Sequence, residues 1–195
     1  VTRFDDASLE RLRAIVSARP AVAIDAPQYR RACVLIPLVR SVLTNGDWSI
    51  LFSRRSPHLA SHSGQIAFPG GAVEEGEALD AAAVREAEEE VGIPPTRVEL
   101  IGRLDDLITN SGFLVAPFAG VIHDRIEYVL QESEVEEVFE VPVGALLQPS
   151  QPEVRYVTFR QRQYPAYFYR YERYEIWGLT GRILKAFLDL VWRSL

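Results

Sequence analysis

Three glutamates, Glu86, Glu89 and Glu90, stand at i, i+3 and i+4 within the run REAEEE. On a helix that spacing brings all three carboxylates to nearly one face. Glu88 adds a fourth negative charge, and the group falls where a helix is ending, so the macrodipole disfavours it as well. Like charges at i, i+4 cost about 0.2–0.5 kcal/mol per pair, and Arg85 sets only one positive charge against them. A hard divalent cation resolves the conflict, because Mg²⁺ takes oxygen ligands octahedrally while keeping several waters. A solvated acidic face is the alternative reading of the same residues. What decides between them is the chain that carries the acids.

That chain predicts a helix. Ala81, Ala82 and Ala83 are strong helix formers, and Leu79, Ala83, Ala87 and Val91 recur every fourth residue along one side. Gly92, followed by Pro94 and Pro95, stops it. The preceding stretch, FPGGAVEEGE at 68–77, is a turn-rich loop whose glycines admit close backbone approach. Loop and helix together resemble the Nudix box: Gly, five residues, Glu, seven residues, Arg-Glu, an apolar residue, any residue, Glu-Glu, any residue, Gly, apolar. Gly71, Glu77, Arg85, Glu86, Ala87, Glu89, Glu90, Gly92 and Ile93 fill it without gaps. The resemblance implies a hydrolase acting on a nucleoside diphosphate linked to another moiety. It also implies that Glu86, Glu89 and Glu90 hold Mg²⁺ or Mn²⁺ with the Gly70 carbonyl, that Arg85 orients a glutamate, and that Glu77 braces the loop against the helix. Glu89 serves as ligand or as base.

The stretch just before the box, LFSRRSPHLASHSGQIAFPGG at 51–71, resembles the signature of the coenzyme A pyrophosphatase branch of that family. Leu51, Phe52 and Ser53 fit its opening, and Arg55, Ser56, Gly64, Phe68, Pro69, Gly70 and Gly71 fit its later positions. Arg55, Ser56, Gly64, Phe68 and Gly71 are therefore expected to serve substrate binding. One position departs: Ala60 stands where the signature has a second arginine. If that arginine contacts a phosphate, its absence removes a charge-assisted bond of about 1.5–3 kcal/mol. Arg54, His58 and His62 are nearby donors that could compensate, and solvated basic loop residues otherwise. The departure keeps ADP-ribose or a dinucleoside polyphosphate open as substrate, and a non-catalytic nucleotide-binding module is the alternative of a different class.

The remaining segments frame these motifs. Residues 5–18 place Leu9, Leu12, Ile15 and Val16 at helical spacing, and Pro20 ends the segment. Ala32–Ser41 and Trp48–Ser53 read as strands joined through TNGD at 44–47, a hairpin signal. A short strand is expected over Arg97–Arg103 and a buried one over Phe113–Ile122, after a loop in which Asp105 and Asp106 are capping residues. The "SGF" segment there resembles that of coenzyme A pyrophosphatases. In QESEVEEVFEVP at 131–142, Val135, Val138 and Val141 mark a strand. By the family's pattern a further metal-site glutamate comes from here, Glu134 ahead of Glu132, with Glu134 as a reserve base. Prolines and glutamines at 148–152 form a turn. Aromatic segments at 154–159, 164–171 and 174–177 suggest a hairpin, whose tyrosines serve as core, dimer contact or adenine stack. The closing WGLTGRILKAFLDLVW, similar to the family's C-terminal helix, turns Ile183, Leu184, Phe187, Leu188 and Val191 inward.

Composition bounds the rest. At 195 residues, 48% hydrophobic and 25% charged, the chain is expected to form one domain, 1–195, with flanking N- and C-terminal helices. The net charge of −6 argues against a nucleic-acid partner but not against a polyanionic small molecule bridged by metal. Cys33 is the sole cysteine, which excludes an internal disulfide and fits a reducing cytoplasm; inside ACVLIPLV it reads as core. No apolar run reaches membrane-spanning length, and no secretory leader is expected. The expected fold is α/β, by resemblance a Nudix-type α/β/α sandwich with a mixed, mainly antiparallel sheet and a loop-helix-loop metal motif. The expected reaction is metal-dependent hydrolysis of the diphosphate of coenzyme A or a derivative, giving 3′,5′-ADP and 4′-phosphopantetheine or its acyl form. A homodimer is compatible with the aromatic segments at 154–177.

Overall fold

The computed structural model describes residues 2–40, 47–59, 63–159 and 161–195. A mixed sheet is built on β1 (Arg30–Arg40), which lies parallel to β7 (Phe113–Ile122) from Arg30↔Phe113 to Val39↔Ile122. Every other pairing in this sheet is antiparallel: β2 (Trp48–Arg55) on β1, β5 (Val98–Arg103) and β6 (Leu107–Ile108) on β7, and β8 (Val135–Pro142) on β2. β1 reads as an unbroken apolar run because both its faces are covered. Ile36 and Leu38 point into one core and Cys33, Leu35 and Val39 into the other.

Between β1 and β2 the sheet is prised open. β1 pairs with β2 only at Leu38–Arg40. Towards its start β1 pairs instead with β4 (Gly70–Ala72), and the end of β2 pairs with β3 (Ile66–Ala67). The FPGG loop is therefore wedged into the sheet, and Leu35 N–H donates to the Pro69 carbonyl at 2.9 Å. Strands of two and three residues carry no periodicity, so the sequence showed this stretch only as loop.

One face is covered by α2 (Leu79–Val91), whose Ala82, Ala83, Ala87 and Val91 are fully buried. The other is covered by α1 (Asp6–Ala18), the short α3 (Val143–Leu146) and α4 (Gly178–Ser194). α4 buries all five residues expected of it. Asp5 caps α1, accepting from the Ser8 N–H at 3.0 Å. Asp105 and Asp106 tie the segment after α1 to the sheet, accepting from the Val22 N–H at 2.7 Å and the Ile24 N–H at 3.0 Å. Of the turn expected at 44–47, residues 44–46 lie outside the described residues.

The aromatic segments form two hairpins rather than one, β9 (Glu153–Phe159), β10 (Arg162–Tyr171) and β11 (Tyr174–Ile176), in a separate three-stranded sheet. It meets the main sheet through Tyr174, stacked 3.6 Å from Phe139 and donating to Glu137 at 3.1 Å. Thr180 in the first turn of α4 (Gly178–Ser194) donates to the Ile66 carbonyl at 2.9 Å. Tyr156 and Tyr164 stay exposed on these strands. Among the described residues no helix is long and apolar enough to cross a membrane.

Candidate active site

Arg85 organises the first half of the site. Its guanidinium donates to both Glu77 oxygens at 2.8 and 3.0 Å, to Glu86 Oε1 at 3.0 Å, to Glu89 Oε2 at 3.1 Å and to the Ala72 carbonyl at 3.1 Å. One side chain thereby pins loop and helix together. Glu77 also accepts from the Glu74 N–H at 3.0 Å, and these contacts hold its carboxyl below the usual range. Gly71 fits under Glu86: a Cβ at this position would lie 2.5 Å from that carboxylate. Only glycine permits the approach.

Glu90 lies deeper. Its side chain is 6% exposed, Oε2 accepts from the Gly70 N–H at 3.1 Å, and Oε1 sits 3.8 Å from Arg55 Nη1. Burial pushes its carboxyl up to about 7, against the pull of that N–H and of Arg55. Burial also raises Glu86, less strongly because Arg85 opposes it. Both feel the negative charge of Glu134.

The end of α2 explains how Glu134 arrives there. Gly92 takes the left-handed conformation (φ 72°) and Ile93 N–H closes back on the Ala87 carbonyl at 3.2 Å. That leaves the last helical carbonyls without intrahelical donors. Gln131 N–H meets the Glu90 carbonyl at 3.0 Å and Val129 N–H the Val91 carbonyl at 3.2 Å. The chain then turns, with Glu134 N–H donating to Gln131 at 2.8 Å, and the Glu134 carbonyl accepts from Ser56 N–H at 2.8 Å. A bulge comes next at Arg54/Arg55, skipping Glu136 in the pairing of β8 with β2. It puts Val135 and Val138 on the same core face although they are three apart.

The expected residues therefore divide. Glu86, Glu90, Arg85, Gly70, Gly71, Arg55 and Glu134 are gathered. Glu89 is turned outward, its carboxylate 58% exposed beside Arg85. Ser56 is buried and contributes its backbone N–H to Glu134. Phe68 is not at the surface: its ring is buried 5.0 Å from Phe52, so it anchors the wedge rather than facing a ligand. Gly64 belongs to the turn after β2, its N–H on the Arg55 carbonyl at 3.1 Å. Arg54 is engaged with Glu136 and Glu137, both at 3.3 Å, and Glu132, like Glu134, is exposed. Ala60 and His62 lie outside the described residues. Cys33, under the wedge, has its thiol pushed up to about 12 by burial, so it is no nucleophile.

Among the described residues no three acids, histidines or cysteines converge closely enough to hold an ion as they stand. The donor set nevertheless fits a hard cation. It is all oxygen, and Glu90 is a buried carboxylate whose nearest cation stands beyond hydrogen-bond reach. The Val129–Gln131 segment is the part that sequence reasoning did not find; the one signal for it was that a helix ending at Gly92 needs donors from elsewhere.

Residues 35–170 match the family described as "NUDIX domain", and the chain belongs to the Nudix hydrolase family. A relative named "Uncharacterized Nudix hydrolase NudL", from Salmonella heidelberg (strain SL476), is 40% identical over 168 residues, covering 86% of this chain and 85% of the relative. In fold the chain resembles a MutT/nudix family protein from Enterococcus faecalis (TM-score 0.54, 16% identity, 86% of this chain and 64% of that one). It also resembles the Nudix hydrolase RenU from M. smegmatis (TM-score 0.51, 22% identity, 62% and 78%).

Proposed function

We propose that this Nudix hydrolase cleaves the diphosphate bond of coenzyme A or a derivative, giving 3′,5′-ADP and 4′-phosphopantetheine or its acyl form. The observation that carries this reading is the meeting of the coenzyme A-type segment with the metal box: Arg55 reaches Glu90, and the next residue, Ser56, holds the backbone of Glu134. Glu86 and Glu90, with the Gly70 carbonyl, are the residues that would hold Mg²⁺ or Mn²⁺. When bound, such an ion neutralises the diphosphate and lowers the pKa of a coordinated water. Arg85 keeps the Glu86 carboxylate in position from behind. We assign the proton of the attacking water to Glu134, whose charge both Glu86 and Glu90 feel. Glu89, whose carboxylate Arg85 holds on the solvent side, would be the further ligand on leaving that contact. No protein nucleophile is required. The reaction suits a reducing cytoplasm, with a small molecule rather than nucleic acid or membrane as partner, and residues 1–195 acting as one domain.

Purified protein with Mg²⁺ or Mn²⁺ is expected to convert coenzyme A to 3′,5′-ADP, followed by chromatography against a panel containing ADP-ribose and dinucleoside polyphosphates. Faster turnover of either rival overturns the substrate assignment. Ala60, in place of the signature arginine, is the feature that favours those rivals. Tight nucleotide binding with no turnover of any panel member selects the non-catalytic module instead.

A further inference from the structure

Arg55 stands out among the arginines of the site because nothing among the described residues holds it tightly. Arg85 makes five hydrogen bonds to carboxylates and a carbonyl. Arg55 approaches Glu90 at 3.8 Å, too far for a directed bond, and among the described residues its Nε is buried without a partner. It ends β2, opposite the bulge that the unpaired Glu136 makes in β8. Its contact is also the most buried carboxylate of the site, which the Gly70 N–H alone does not neutralise.

We infer that Arg55 is a tethered counter-cation: it occupies Glu90 until a divalent ion arrives, and it then passes to the substrate's diphosphate. The inference rests on the metal-dependent reading above and adds a coupling to it. A guanidinium and a divalent ion compete for one carboxylate, so Arg55 weakens binding of the ion alone. Once displaced, the guanidinium has a fork of donors matched to phosphate oxygens and a like charge at its back. Ion and diphosphate then each favour the other's binding, and by linkage the effect is reciprocal. Such an arrangement disfavours an idle bound metal and favours the pair.

The test is Mn²⁺ titration of the full chain, read by electron paramagnetic resonance of the free ion, with and without inorganic pyrophosphate. Arg55→Gln is expected to bind Mn²⁺ alone about ten-fold more tightly than the parent, the equivalent of about 1.4 kcal/mol, and to lose at least about ten-fold in pyrophosphate affinity at saturating Mn²⁺. Arg55→Lys keeps the charge and is expected to stay within about three-fold of the parent for Mn²⁺ alone, so it serves if the glutamine variant melts early. Opposite signs for the two ligands are what a merely structural arginine does not produce. Equal or weaker Mn²⁺ binding in Arg55→Gln overturns the inference and leaves the hydrolase reading intact. Absence of Mn²⁺ binding in the parent overturns both.

Discussion

Glu86→Gln is expected to lower the rate of diphosphate hydrolysis by at least about 100-fold, or about 2.7 kcal/mol of barrier, with little change in melting temperature. The side chain is 15% exposed and accepts from Arg85 at 3.0 Å. A glutamine carbonyl keeps that hydrogen bond and the same volume, so loop and helix remain pinned. The negative charge is what disappears, in a site where burial already works against it. Losing one charge-stabilising group of this kind costs about 10²–10³ in rate. Initial rates at saturating Mg²⁺, set beside thermal melts of both proteins, decide the matter. A variant within a few-fold of the parent rate would remove Glu86 from the metal set.

The glycine pair supplies the second large effect, because two adjacent glycines are predicted to fail for different reasons. In Gly71→Ala the new methyl would lie 2.5 Å from the Glu86 carboxylate. A side chain can swing aside, so the fold is expected to survive while the rate falls by about 100-fold or more, as when a reacting group is misplaced by about 1 Å. In Gly70→Ala the methyl would meet the Cys33 carbonyl at 2.3 Å and Val34 Cα at 2.7 Å. Both are backbone of β1, fully inside the sheet, and cannot yield without breaking the β1–β4 pairing. Overpacking of this kind costs about 1–3 kcal/mol or more, so Gly70→Ala is expected to melt several degrees lower and to lose activity with it. Circular dichroism melts and rates on both variants separate the cases. If Gly71→Ala proves fully active, the close fit of loop to Glu86 has no catalytic meaning.

How much of this was legible in the sequence depended on whether the determining contacts were local. The helix bearing the acids was legible, since Ala83, Ala87 and Val91 show its 3.6-residue period and Gly92 its end. The strand from Phe113 to Ile122 was found with its observed bounds, because a long apolar run between turn residues leaves little choice. Arg85 joins Glu77 of the loop to Glu86 of the helix, a contact between residues eight apart and one apart in the chain. What was hidden was non-local. Nothing in EVRYVTF says that its partners form a second sheet, for a strand's pattern reports burial of its faces and not the identity of its neighbours. Glu89 looked equivalent to Glu86 and Glu90 by spacing, yet a helix face has a rim, and Arg85 draws this member to the solvent side. Phe68 was read with the ligand residues because of the motif around it, whereas its ring serves the core.

The Val129–Gln131 segment gives the fold a built-in ruler. Its N–H groups are fastened to the carbonyls at the end of the acid-bearing helix, and the Glu134 backbone is fastened to Ser56, so only two residues, Glu132 and Ser133, lie between the anchors. Lengthening or trimming that short span would carry Glu134 away from Glu86 and Glu90 while leaving every acidic residue in place. The connection from β7, upstream of Val129, is held by side chains such as His123 on Glu99 and Asp124 on Arg97 rather than by the helix-end carbonyls, so a change of length there leaves the Glu134 anchors intact. In an evolving lineage, insertions would therefore accumulate on one side of Val129 and be purged on the other.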